Sequence, residues 1–254
     1  MSHLLRRSVL ACAVLTIATV CHAEPIAVRS RESPSLAFPV LHSVDNKELA
    51  HGELVQTVSG DRVESRLVFR FKDGSLYDET VVFSQARVFR LLSYRLLQRG
   101  PSFSTASEVS FDRARGRYRA KVGDDGDEGQ LELPPDVHNG MTGLLLRNLP
   151  PGASARGHLI AFTPKPRMLK TTLTPEGEDR FFVGDAARSA TRYLVKVELG
   201  GLTGVLASAI GKEPPDLRYW IAKGAVPAFV KFEGAMFLNG PRWRIELGGP
   251  RWAR

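Results

Sequence analysis

The chain has 254 residues, a formal net charge of +8 and two cysteines. A chain of this length can bury a sizeable core, as one large β domain or two smaller ones. Both cysteines, Cys12 and Cys21, fall in a leader that we expect to be removed. The mature protein would then have no disulfide and no thiol nucleophile, so its stability must come from burial.

Residues 1–23 are predicted to form a secretory signal peptide that is cleaved after Ala23. Two arginines open the segment, and an apolar run too short to span a bilayer follows them. The alternative is a lipoprotein signal that uses Cys21, but Val20 is bulkier than the small residue such sites prefer. We therefore expect a periplasmic protein. Its basic surface suits an anionic membrane surface and not nucleic acid, or it serves solubility alone.

The mature chain is predicted to have an irregular lead-in at 24–47 and a single β-rich domain at 48–254. Apolar and polar residues alternate along 62–71, which is typical of a half-buried strand. An Asp-Gly turn signal at 72–75 separates this strand from the next. The segment 87–98 fits a strand or a helix, and its aromatic and β-branched residues favour a strand.

Further strands are separated by polar turns. The acidic stretch 123–129 is interpreted as a solvated turn, because it lacks the ligand spacing of a calcium loop. The pattern predicts a mainly β fold, with a single curved antiparallel sheet or an unclosed β-barrel (a half-barrel). The remaining predicted strands are 107–112, 116–122, 154–163, 167–174, 179–184, 190–199, 217–223, 228–234 and 242–247.

Two short helices are predicted to cover the concave face of this sheet. The first, at 134–152, has a Pro-Pro-Asp start and a stop at Asn148 and Pro150, and the second, at 200–211, carries no charge. Each could pack as core, line a cavity for an apolar ligand, or contact a membrane or partner. The stripe residues proposed to line the cavity are Leu144, Leu145, Leu202, Val205, Leu206 and Ile210.

No motif predicts a catalytic, metal or cofactor site. The chain has no Gly-x-Ser-x-Gly, no His-Glu-x-x-His and no nucleotide-binding glycine loop. Asp136 and His138 could in principle orient an imidazole as a general base. Asp136 is also a natural N-cap for the helix predicted at 134–152, which explains it without chemistry.

The stretch LRYWIAKGAVPAFVKFEG at 217–234 resembles bacterial envelope proteins of the lipoprotein-carrier (Lol-type) half-barrel group. This resemblance implies an unclosed antiparallel barrel whose mouth is covered by helices, with an apolar cavity for acyl chains. Trp220 and Phe232 would then add to the cavity wall. The residues that match are Trp220, Ile221, Pro227, Lys231 and Glu233.

The sequence therefore predicts an exported, non-enzymatic envelope protein that binds an apolar or amphipathic ligand, such as a lipid or a lipoprotein acyl chain. One alternative is a structural or protein-interaction module of the envelope whose core is filled. Another is a hydrolase with a site around Asp136 and His138.

Overall fold

The computed structural model describes residues 24–163, 165–198, 216–247 and 251–252. Within these residues the chain forms sixteen strands and one helix, α1 (Thr142–Asn148). The strands before α1 are β1 (Ser35–Ala37), β2 (Val40–Ser43), β3 (Glu48–Ser59), β4 (Arg62–Phe71), β5 (Leu76–Gln85), β6 (Phe89–Arg99), β7 (Ser107–Asp112), β8 (Arg117–Val122) and β9 (Asp125–Gln130). Those after it are β10 (Ala155–Phe162), β11 (Pro166–Val183), β12 (Ala186–Glu198), β13 (Leu217–Ala222), β14 (Ala228–Gly234), β15 (Trp243–Glu246) and β16 (Arg251–Trp252).

All of these strands belong to one antiparallel sheet. Its order is β10-β11-β12-β13-β14-β15-β2-β3-β4-β5-β6-β7-β8-β9, with β1 added beside β3 and β16 beside β11. The pair β15–β2, where Ile245 lies opposite Leu41, joins the later half of the chain to the earlier half. The end strands β9 and β10 do not pair with each other, so the sheet is not closed. The predicted mainly β, antiparallel and unclosed architecture is confirmed.

The sheet curls so that its two ends approach each other. Tyr118 of β8 and Phe162 of β10 lie near opposite ends of the strand order, yet their ring centroids are 6.3 Å apart. Because side chains alternate between the two faces of a strand, this curl gives the sheet an inner and an outer face.

Helix α1 packs on the inner face and fills part of the curl. In a first core cluster, side chains of β4–β8 pack against Met141, Leu144 and Leu145. A second core cluster, built around Phe69 and Trp243, occupies another part of the inner face. A third joins the helix to β11–β13 and contains Leu146, Leu173, Tyr193, Val195 and Ile221.

The helix predicted at 134–152 is shorter than expected, because the chain before it pairs with β10. The backbone N–H of His138 donates to the carbonyl of His158 over 3.0 Å, and the N–H of His158 donates to the carbonyl of Asp136 over 3.3 Å. Gly140 then takes a positive φ of 67°, and α1 begins only at Thr142. Asp136 is therefore not the cap of a helix, and the end predicted at Asn148 is confirmed.

Three further predictions differ from the structure. The lead-in at 24–47 contains β1 and β2, and β2 is an internal strand of the sheet. The acidic stretch 123–129 is a turn followed by most of β9, which pairs with β8. The segments 167–174 and 179–184 belong to the single strand β11, which continues through a register shift between Pro175 and Gly177.

The helix predicted at 200–211 lies outside the described residues. In the part of the chain that is described, no helix combines the length and the hydropathy needed to cross a membrane.

Candidate functional site

A row of four residues crosses the inner face of β3–β6. The strand register places Leu54 opposite Leu67, Leu67 opposite Glu79, and Glu79 opposite Leu96. Directly opposed residues of antiparallel strands project from the same face of a sheet. We call these four residues the inner strip.

The inner strip is less buried than the inner-face residues beside it. All four of its members keep part of their surface exposed, whereas neighbouring residues of the same face, such as Val81 and Phe69, are buried. Leu96 packs against both the first and the second core cluster. Leu67 packs against the second cluster alone, so the clusters meet at the Leu96 end of the strip. The strip offers apolar surface that the described chain does not fully cover.

Glu79 places a carboxyl group within this apolar surface. The Tyr94 hydroxyl donates to its Oε1 over 2.9 Å, and the Tyr77 hydroxyl donates to the carboxyl as well. Burial raises the pKa of Glu79, and these hydrogen bonds oppose the rise. The carboxyl thus keeps two donors but is held in surroundings that disfavour its charge.

Tyrosines enclose this carboxyl. Burial raises the pKa of Tyr77, Tyr94 and Tyr219, so all three phenols stay protonated at neutral pH. The charge of Glu79 adds to the rise at each of them. A Cβ placed on Gly140, in the turn before α1, would lie 3.2 Å from the Glu79 carboxyl. The tyrosines and this turn therefore border the carboxyl.

A second hydrogen-bond acceptor lies on the same face of the sheet as Glu79. Gln98 lies on the same face opposite Tyr77, and its buried Oε1 receives no hydrogen bond from the described residues. No described basic side chain contributes to the pKa of Glu79. By the same register, the arginines of β4–β6 project from the outer face: Arg62, Arg66, Arg70, Arg90, Arg95 and Arg99.

The predicted site residues do not form one wall. Leu144 and Leu145 belong to the first core cluster, with 9% and 6% of their surface exposed. Phe232 belongs to the second, where its ring centroid is 4.9 Å from that of Tyr219. Leu202, Val205, Leu206 and Ile210 lie outside the described residues.

Trp220 lies on the opposite face of the sheet from Phe232. Phe232 faces Tyr219 in the register, so the adjacent residue Trp220 projects outward. Its indole N–H donates to Asp179 Oδ2 over 2.6 Å, and Lys231 Nζ lies 4.1 Å from its ring centroid. Trp220 and Phe232 therefore do not lie on one face of the sheet.

The Asp136–His138 pair considered as a hydrolase alternative does not form. Asp136 Oδ2 lies 2.8 Å from Nδ1 of His158. His138 is 1% exposed, and its ring nitrogens bond the hydroxyls of Thr142 at 3.1 Å and Thr171 at 2.8 Å. Burial lowers the pKa of His138 to about 4, so its ring is neutral at neutral pH.

The crevice beside these histidines is small. Asp136, His138 and Arg156 line it together with residues 24–26, and its volume is about 10 Å³. That volume holds about one water molecule, so the crevice has no room for an organic substrate. Among the described residues, no group of three or more His, Cys, Asp or Glu side chains is placed to hold a metal ion.

Sequence reasoning missed Glu79, although its strand was predicted. The available signal was the alternation of side chains between the two faces of β5. Glu79 lies on the same face as Tyr77, Val81 and Phe83, all of which are buried. An acid in such a register is unusual, since carboxylates are seldom buried without a partner. The adjacent acid, Asp78, pairs with Arg66 on the other face, so two consecutive acids obscure the alternation of apolar and polar residues.

The fold defines a class of mainly β protein, in which one unclosed antiparallel sheet curls around a short helix. No family model matches the chain, and no curated protein does. A solved structure similar to it is a beta-barrel-like protein of a domain of unknown function, DUF1849, from Brucella abortus. The two share 11% identity over 88% of this chain and 99% of that one, with a TM-score of 0.48.

Proposed function

We propose that this chain binds the apolar portion of an amphipathic ligand along the inner strip. The observation that carries the proposal is the partial exposure of Leu54, Leu67 and Leu96 on an inner face whose neighbouring residues are buried. When a hydrocarbon chain covers exposed apolar surface inside a curled sheet, binding is stabilised by about 25 cal/mol per Å² of surface buried. A lipid or a lipoprotein acyl chain has the required chemistry.

The proposal includes export to the bacterial periplasm after removal of residues 1–23. The exposed arginines of β4–β6 project from the outer face, where they suit contact with an anionic membrane surface. Binding and membrane contact would then use opposite faces of one sheet. Mass measurement of the secreted protein tests the cleavage, since the mature chain should begin at Glu24.

Displacement of the uncharged dye Nile red by dodecanol tests binding at the inner strip. Leu67→Gln exposes a polar amide in the strip, and we expect dodecanol affinity to fall by about tenfold, equal to about 1.4 kcal/mol. Val55→Gln is the matched control, because Val55 is the next residue along β3 from Leu54 and is 37% exposed on the outer face. Equal affinities for the two variants, or no displacement by dodecanol, would refute the proposal.

A second candidate function is a packed interaction module of the envelope. The observation that favours it is the small volume, about 10 Å³, of the crevice beside α1. This candidate predicts that dodecanol does not bind.

A further inference from the structure

We infer that the inner strip selects a ligand with a cationic head, such as a long-chain ammonium, over one with an anionic head. This inference rests on the proposed binding of an apolar chain and adds the chemistry of the head group. Glu79 is the residue that makes the selection.

The position of Glu79 follows from the strand register. Three members of the inner strip are leucines, and Glu79 is between two of them, opposite Leu67 on one side and Leu96 on the other. A hydrocarbon chain that covers Leu54 and Leu67 ends at the next strand, where its polar head lies beside the Glu79 carboxyl group. The head group is therefore recognised by this side chain and by its immediate neighbours.

The groups around Glu79 accept hydrogen bonds that the described chain does not fully supply. The Glu79 carboxyl accepts from Tyr94 and Tyr77, and two carboxylate oxygens can accept about four hydrogen bonds. The Gln98 side-chain oxygen accepts none from the described residues. An ammonium group brings three donors and a positive charge, so it matches these acceptors.

An anionic head group is disfavoured beside Glu79. The arginines of β4–β6 point away from the strip, and no described cation faces Glu79. A second carboxylate there would lose its hydration and be repelled by the first, with no charge to compensate. Anionic surfaces would instead meet the outer face, where the arginines are.

The test compares three probes with the same chain: dodecylamine, dodecanol and dodecanoate. Their affinities for the whole mature protein are measured by Nile red displacement at neutral pH and physiological ionic strength. We expect dodecylamine to bind about tenfold more tightly than dodecanol, and dodecanoate to bind more weakly than either. In Glu79→Gln the preference for the amine over the alcohol should disappear.

Glu64→Gln is the matched control, because Glu64 lies exposed on the outer face of the neighbouring strand. It should keep the amine preference of the unaltered protein. If dodecanoate binds as well as dodecylamine, or if both variants lose the preference equally, the inference is overturned while chain binding stands. If none of the three probes binds, the proposed function fails and the inference fails with it.

The comparison of probes on the unaltered protein does not depend on how the variants fold. Circular dichroism of Glu79→Gln establishes whether its affinities report on a native sheet. Should the variant unfold, a dodecylamine preference that weakens as pH falls, while dodecanol affinity stays constant, supports the inference. Unchanged preference through the titration of carboxyl groups would overturn it.

Discussion

Glu79 is a partly buried titratable group and His138 a fully buried one, and the two have different hydrogen-bond partners. Glu79 receives tyrosine hydroxyls but no described cation, and burial raises its pKa. His138 is held between two threonine hydroxyls, and burial lowers its pKa to about 4. Both ring nitrogens of His138 have hydrogen-bond partners within the protein, so a structural role accounts for this residue. The Glu79 carboxyl can accept further hydrogen bonds, which a ligand could donate.

His138 should make the stability of the fold depend on pH. Its folded pKa of about 4 lies below the unfolded value of 6.5, so the unfolded chain takes up the proton first. The contribution of neutral His138 is complete above about pH 6.5 and is lost as pH falls to about 4, by up to about 3 kcal/mol.

Denaturant unfolding at about pH 7 and about pH 5 measures this loss. His138→Gln should show a smaller fall in the free energy of unfolding than the unaltered protein, while His51→Gln, at an exposed imidazole, should match it. Asp136 and His158 lie nearby and also act on His138, so the comparison between variants is the informative quantity. Identical slopes for His138→Gln and the unaltered protein would contradict this account.

Gly140 is required by both its backbone and its neighbours. Its φ is 67°, and an added Cβ would lie 2.3 Å from Val81 Cγ2. Gly140→Ala should therefore lower the free energy of unfolding by about 2–4 kcal/mol. Gly116→Ala is the control, since φ there is 60° with open space around it, and about 1 kcal/mol is expected. Equal losses at the two sites would show that contact with Val81 is unimportant.

At the scale of elements, the segment before α1 protects the edge of β10. The Asn139 side chain makes the two hydrogen bonds that the backbone of a neighbouring strand would make. Its amide nitrogen donates to the carbonyl of Ile160, and its amide oxygen accepts from the N–H of Ile160, both over 2.8 Å. Without it, a strand edge at the end of the sheet would leave these groups unpaired.

Asn139→Ala tests this protection. It should lower the free energy of unfolding by about 1–3 kcal/mol and speed hydrogen exchange at the Ile160 amide, because two backbone groups lose their partner. Gln130→Ala, exposed on β9 at the other end of the strand order, should change neither quantity. Unaltered exchange at Ile160 in Asn139→Ala would show that other groups cover this edge.

The sequence is informative about an element when local alternation decides its structure. The strand predicted at 62–71 is β4, and the segment at 87–98 is β6 shifted by one or two residues, because each has a clear apolar face. The first half of the helix predicted at 134–152 is not helical because it pairs with β10, a contact between distant segments. Pro175 and Gly177 predict the end of one strand and the start of another, whereas the chain forms a single strand, β11, with a register shift between them.

The candidate site was the least predictable part, for a related reason. The inner strip takes one residue from each of four strands, and strand register decides which residues meet. Local patterns can show that Glu79 shares parity with apolar neighbours, but not that Leu67 and Leu96 flank it. The same register also decides that Trp220 and Phe232 lie on opposite faces of the sheet.

At the scale of the whole molecule, one continuous sheet predicts one cooperative unfolding transition. The pair β15–β2 joins the two halves of the chain, and Trp243 of β15 is buried in the second core cluster. Fluorescence of a variant that retains only Trp243 should therefore share its midpoint with far-ultraviolet circular dichroism. Two separated midpoints would indicate independent halves and contradict a single cooperative sheet.

The central claim is that an apolar chain lies on the inner strip, and leucine-methyl NMR of the mature protein titrated with dodecanol tests it most directly. We predict saturable shifts at the methyl groups of Leu54, Leu67 and Leu96. The methyl groups of Leu36 and Leu238, which are 60% and 48% exposed, should not shift. Shifts confined to Leu36 and Leu238, or an inner strip that does not respond to dodecanol, would contradict the account.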